Sequence, residues 1–223
     1  MSSTSSHIVR VKICCIGSVE EARTAIAAGA SALGLVSQMP SGPGVIPDQL
    51  ITGIAASVPP GVATFLLTSA VNPVHIIAQQ RHTGTGVIQL CDRQTPDTYP
   101  LLRESLPGIK LVQVIHVTGP EALQEARSVA PHVDALLLDS GNPHSAVKEL
   151  GGTGRTHDWS VSTAIVATSP VPVYLAGGLT AENVAAAIET VRPFGVDVCS
   201  GVRSNGRLDG DKLAAFMAAV PAG

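Results

Sequence analysis

The sequence predicts an α/β protein folded as one (β/α)8 barrel, the TIM-barrel architecture. Three observations carry that reading. Eight short, apolar, β-branched runs recur along the chain, helix-like segments separate them, and the spacing is mostly about 24 residues with no linker-like break. Strands buried on both faces read as continuous apolar runs, because helices cover both sides of a parallel sheet. A doubly wound open sheet is the runner-up. It would usually place its glycine-rich phosphate loop after the first strand, and none stands there. The expected organisation is a disordered lead over residues 1–7 and a single barrel domain over residues 8–223.

Strand 1 is read in "IVRVKICC". Ser18-Val-Glu-Glu21 follows as a capping box, with Val19, Ala22 and Ile26 on one helical face. Strand 2 is "SALGLV", and a long loop, "SQMPSGPGVIP", comes after it. Strands 3 and 4 are "GVATFLL" and "GVIQL". Strand 5, "KLVQVIHV", leads to Thr118-Gly-Pro-Glu121, a second capping box with Pro120 in the first turn, where proline is tolerated. "VDALLLD" is strand 6, followed by the other long loop, "SGNPHSAVKELGGTGRTHDW". Strand 7 is "VPVYLA"; the helix after it, "TAENVAAAIETV", begins at Thr180 and pairs Val184 with Ile188. "GVDVCS" closes the set as strand 8. Long loops at strand C-termini are where a barrel keeps its site.

A formal charge of −3 without a basic cluster leaves no electrostatic footprint for nucleic acid or an anionic membrane. No apolar run approaches the ~18 residues of a membrane span. The opening "MSSTSSHIVR" lacks the basic region and apolar stretch of a secretory signal. Cysteines stand at 14, 15, 91 and 199 with no CxxC, and adjacent cysteines rarely bridge. The expectation is a reduced, cytoplasmic protein with free thiols and no metal site.

Three glycine-rich pieces come late: "GGTGR" (151–155), "AGGL" (176–179) and "SGV" (200–202). Gly177, Gly178, Ser200 and Gly201 end adjacent strands, where backbone N–H groups of a barrel commonly cradle phosphate; the plainer reading is tight turns. In the longer loop, Gly152, Thr153, Gly154 and Arg155 form a candidate lid, although any long loop carries glycines. Cys14 and Asp139 end strands 1 and 6 at the barrel mouth. A cysteine there is a base or inert packing, and an aspartate is a site residue or a cap for the next segment. Asp197 and Lys12 point inward, so each serves a structural ion pair or the site; Lys12 could also form a Schiff base.

Taken together, these pieces resemble the phosphoribosylanthranilate isomerase family. Its Lys-Ile-Cys-Gly-Ile opening is similar to "KICCI", and its Val-Gln-Leu-His-Gly to "IQLCD". The aspartate closing strand 6, the Gly-Gly-Thr-Gly loop before Asp-Trp, and Leu-Ala-Gly-Gly-Leu with Glu-Asn-Val match "LLLD", "GGTGRTHDW" and "LAGGLTAENV". Gly-Val-Asp-Val-Ser-Ser-Gly-Val matches "GVDVCSGV". The resemblance implies the TIM barrel and an Amadori rearrangement of a phosphoribosyl amine in tryptophan biosynthesis. It implies Asp139 as general acid, Cys14 as general base and no cofactor. Asp139 must then hold a proton near neutral pH, and Cys14 must be substantially thiolate, with Lys12 the nearest cation in sequence. It also implies that Cys14 faces the site, while Cys15, in a glycine's place, packs outward.

The chain departs further from the pattern in three segments. The family's Ser-Pro-Arg after strand 2, whose arginine is expected on the anthranilate carboxylate, is here "PSGPGVI". The histidine of strand 4 is Cys91, with Asp92 after it, and Arg203 follows "SGV" where an acid is usual. Three readings follow: Arg203 or Arg155 reaches the carboxylate from another loop, the aglycone is a different amine, or the barrel binds a phosphosugar without turnover. The expected partner in each is a small phosphosugar, with no nucleic acid and no membrane.

Overall fold

The computed structural model describes residues 8–142, 148–152, 154 and 156–221. The expected lead, residues 1–7, lies outside them. Eight parallel strands close a barrel: β1 (Arg10–Ile13), β2 (Ala32–Val36), β3 (Ala63–Thr68), β4 (Val87–Leu90), β5 (Lys110–His116), β6 (Ala135–Asp139), β7 (Val173–Leu175) and β8 (Gly195–Val198). Each pairs with its neighbour in sequence, and β8 returns to β1 with Lys12 opposite Asp197. Every apolar run read as a strand is one.

Helices α1 (Val19–Ala27), α2 (Asp48–Ser57), α3 (Pro73–Thr83), α4 (Thr98–Ser105), α5 (Glu121–Val129), α6 (Trp159–Thr168), α7 (Val184–Val191) and α8 (Gly210–Ala219) alternate with the strands. Two apolar layers result. One lies between strands and helices and includes Ile13, Leu33, Ile88 and Phe216; the other fills the barrel with Phe65, Leu67, Val112, Leu137 and Tyr174. Among the described residues, no helix is long and apolar enough to cross a membrane.

Local signals held with two changes. Ser18 Oγ accepts from the Glu21 N–H at 3.1 Å, but the Glu21 carboxylate accepts from Gly17, not from the cap residue itself. Thr118 does not cap α5: its hydroxyl donates to Glu121 at 2.9 Å, and the helix starts at Glu121 after Pro120. A short hairpin, β9 (Arg203–Ser204) with β10 (Arg207–Leu208), follows β8 and was not foreseen. Its turn is Asn205-Gly206, both at positive φ, a strong two-residue hairpin signal.

Candidate active site

The strand C-termini open into a cleft of about 660 Å³. Its walls include Cys14 from the end of β1 and Asp139 from the end of β6, well separated around the barrel. Gly151, Gly152 and Gly154 of the long loop, Gly177 and Gly178 after β7, and Asp197 and Ser200 of β8 and its turn also line it. One side is apolar, made by Val36, Met39, Pro43, Leu67 and Leu150. Thr153 and Arg155 lie outside the described residues.

Cys14 follows directly on β1, anchored by its N–H to the Val198 carbonyl at 2.8 Å. Beneath it, Lys12 Nζ meets Asp197 Oδ2 at 2.8 Å in full burial and lies 5.3 Å from the centre of the Phe65 ring. Burial works against the Lys12 charge, but Asp197 and Cys14 more than offset it, so the ammonium stays protonated. Burial pushes the Asp197 carboxyl up, with Lys12 pulling the other way; its Oδ1 has no hydrogen-bond partner among the described residues.

Room for this thiol and ammonium comes from Gly34 in the middle of β2. A Cβ there would fall 2.8 Å from Cys14 Sγ and 3.1 Å from Lys12 Nζ. Sequence reading passed over Gly34, although a glycine inside a buried strand marks a close approach. It also passed over Gln89, a polar residue in the apolar β4. Its Nε2 lies 3.8 Å from Cys91 Sγ and its Oε1 is unpartnered among the described residues.

Asp139 Oδ1 accepts from the Ser140 N–H at 2.7 Å. Oδ2 abuts Gly151, where a Cβ would come within 2.7 Å of it. So the long loop can close over the carboxyl only with glycine at that point. Burial lowers the pKa of the nearby His157, whose Nε2 is 2.7 Å from Ser162 Oγ. His116 Nε2 sits 3.0 Å from the Cys91 carbonyl, and burial drives the Cys91 thiol far up, keeping it neutral.

At the glycine end, Gly177 and Gly178 take positive φ values of 86° and 63°, and a Cβ on Gly201 would lie 2.1 Å from the Leu179 carbonyl. The loops after β7 and β8 therefore press together. Among the described residues, no protein group accepts from the N–H of Gly177, Gly178, Ser200 or Gly201. Backbone amides with no protein acceptor are able to donate to an anion. Asn183 shapes this corner by accepting from Thr180 N–H at 2.8 Å and donating to the Gly178 carbonyl at 2.9 Å.

Two expectations are corrected. Cys15 does not pack outward: it lines the cleft beside Cys14, because its φ of 63° turns the chain into the left-handed conformation that a glycine adopts freely. Arg203 does not reach the cleft. Its guanidinium is buried behind the Cys14–Cys15 turn, 3.0 Å from Glu21 Oε2 and 2.9 Å from the Gly206 carbonyl, and it donates to the carbonyls of Cys14 and Cys15. Its Nε has no partner among the described residues, but it is buried and outside the cleft lining, so the arginine offers no accessible edge for a substrate carboxylate.

The chain matches the family model described as N-(5'phosphoribosyl)anthranilate (PRA) isomerase over residues 11–219. An N-(5'-phosphoribosyl)anthranilate isomerase of Haloferax volcanii is 39% identical over 215 residues, covering 96% of this chain and 93% of the relative. One of Methanosarcina mazei is 37% identical, covering 94% and 92%. Among solved structures, the phosphoribosyl anthranilate isomerase of Thermococcus kodakaraensis superposes with a TM-score of 0.80 at 29% identity, covering 97% of this chain and all of that one. Another such isomerase, in complex with reduced 1-(o-carboxyphenylamino)-1-deoxyribulose 5-phosphate, gives 0.76 at 28% identity over 94% of this chain and 97% of its own.

Proposed function

The chain belongs to the N-(5'-phosphoribosyl)anthranilate isomerase family, and we propose from the cleft how its own residues perform the reaction. It is an isomerase of tryptophan biosynthesis, converting the phosphoribosyl amine to the 1-deoxyribulose 5-phosphate ketoamine by an Amadori rearrangement.

In this reading, Asp139 is the general acid. With Oδ1 held by the Ser140 amide, Oδ2 delivers a proton to the ribose ring oxygen; the C1–O bond breaks and the anthranilate nitrogen forms a Schiff base with C1. Cys14 is the general base. As thiolate it removes the C2 proton, giving an enolamine that tautomerises to the ketone. Proton transfer by a positioned side chain is worth ~10²–10⁴-fold at each step. Lys12 stays in its ion pair with Asp197 below. The amides of Gly177, Gly178, Ser200 and Gly201 bind the 5'-phosphate, which fixes the sugar between acid and base.

The aromatic aglycone lies against Met39, Pro43, Leu67 and Leu150. With Arg203 committed elsewhere, Arg155 of the glycine loop is the proposed partner of its carboxylate. We place the reaction in the cytoplasm, a reading supported by four free thiols. The net charge of −3 likewise supports a small phosphosugar rather than nucleic acid as partner.

One observation carries this reading: a thiol and a carboxyl from strands across the barrel line one cleft with amides that have no protein acceptor among the described residues. The test is the decay of phosphoribosylanthranilate fluorescence with purified protein. Decay that is lost in Cys14→Ala supports the assignment, and decay that persists in that variant removes Cys14 as base.

A further inference from the structure

Three of this chain's departures from the family pattern are exchanges to cysteine, at 15, 91 and 199, and the fold brings the first and last of them together. Cys15 stands where the pattern has glycine, and Cys199 where it has serine. Strands β1 and β8 are neighbours with Ile13 opposite Val198, so the turns carrying Cys15 and Cys199 leave the barrel side by side. Both residues line the cleft, and their thiols interact electrostatically, while the Cys15 thiol donates to the Pro43 carbonyl at 3.6 Å.

The two thiols are unlike. Cys199 is partly exposed, and interaction with the Cys15 thiol together with the charge of Arg203 lowers its pKa against the effect of burial. Cys15 is buried, and the neighbouring sulfurs of Cys14 and Cys199 together with that burial push its thiol pKa up. An accessible, acidic thiol beside a protonated neighbour is the arrangement of an attacking cysteine with a resolving one.

We propose that Cys15 and Cys199 are a redox-responsive dithiol that closes to a disulfide when a hydroperoxide enters the cleft. The Cys199 thiolate attacks the terminal peroxide oxygen; the O–O bond breaks, Cys199 becomes a sulfenic acid, and the departing oxygen leaves as water after taking a proton. Cys15 then attacks the sulfenic sulfur, the S–S bond forms and a second water leaves. Two thiols are oxidised and one hydrogen peroxide is reduced to two waters. The new bond ties the turn that carries Cys14 to the turn that carries Ser200, so the oxidised protein loses turnover until a dithiol reductant restores it. Cys91 stays out of this exchange because it is fully buried on the opposite wall with its thiol kept neutral.

The experiment uses the full chain, reduced, then exposed to hydrogen peroxide and mapped by non-reducing peptide mass spectrometry, with activity followed in parallel. The expected result is a cross-link between the Cys14–Cys15 peptide and the Cys199 peptide. It persists in Cys14→Ser and vanishes in Cys15→Gly and in Cys199→Ser. Wild-type activity falls at least tenfold and returns with dithiothreitol, each protein being compared with its own reduced form. Absence of the cross-link at inactivating doses would overturn the proposal, as would equally fast reversible inactivation of Cys199→Ser. Because the mapping reads the bond without turnover, a failure of the assigned reaction would leave this result intact.

Discussion

Arg203 Nη2 lies 3.0 Å from Glu21 Oε2, directly behind the turn that carries Cys14 and Cys15. The same guanidinium donates to both cysteine carbonyls, and Glu21 also accepts from the N–H groups of Gly17 and Leu208. The pair therefore joins the end of β1, the start of α1 and the β9–β10 hairpin. Arg203 thereby holds the backbone from which the Cys14 side chain, the proposed base, projects. Arg203→Ala should lower kcat about tenfold or more with little change in KM, and Arg203→Lys should recover only part of it, since an ammonium cannot reach all these acceptors at once. A raised KM at unchanged kcat would instead return the residue to the carboxylate. The stability cost of the alanine variant is about 2–4 kcal/mol by denaturant unfolding, because Glu21 is left half-buried without its partner.

Acid should weaken the same junction. Burial raises the Glu21 pKa, but the Leu208 amide, Arg203 and the Gly17 amide outweigh it and hold the carboxyl below its ordinary value. A group depressed on folding contributes stability that is fully present above its unfolded pKa of about 4.3 and is lost as pH falls through the folded value. Thermal melts between neutral pH and pH 3 should show that loss, and Glu21→Gln should be less stable at neutral pH with a flatter acid limb. Parallel curves for the two proteins would count against the assignment.

Acid and base should separate in single variants. Cys14→Ala and Asp139→Asn are each expected to reduce kcat roughly 10²–10⁴-fold. Affinity for a phosphosugar analogue should stay close to that of the wild type, because neither side chain belongs to the amide corner. Loss of analogue binding in either variant would mean that it perturbs the cleft as a whole.

Gly34 offers a test of the space under the base. An alanine methyl there must displace Cys14 Sγ or Lys12 Nζ. Gly34→Ala should fold, since Gly34 does not have a positive φ, yet lose up to about 100-fold in kcat through a misplaced thiol. Wild-type activity in that variant would show that the site adjusts without loss.

Removing one half of the buried pair should be worse than removing both. Lys12→Met leaves the Asp197 carboxylate inside the barrel and should cost about 3–5 kcal/mol in unfolding experiments. Lys12→Met with Asp197→Leu should recover much of this, and the double-mutant cycle measures the coupling. Additive losses would deny the coupling that the 2.8 Å contact implies.

The strands and their order were legible because each is a short apolar run that any fully buried parallel strand must have. The Ser18 cap was legible because its partner lies three residues away. Cys14, Asp139 and the late glycines could be placed at the barrel mouth because strand ends define that face. Cys15 could not be oriented from alternation, which stops where the strand does: Cys15 sits at positive φ two residues past Ile13.

Arg203 shows the limit most clearly. Its partners Glu21 and Cys15 lie 182 and 188 residues away in sequence, and from the sequence alone its charge could as well have faced a substrate. The sequence by itself determined the barrel, the order of its elements and the residue types at its mouth, since these follow from local periodicity and burial. Only the tertiary structure decided which charges are already spent on one another, because pairing depends on where closure of the ring brings distant segments. That closure gave Lys12 to Asp197 and Arg203 to Glu21, and left the amides of Gly177, Gly178, Ser200 and Gly201 without a protein partner among the described residues.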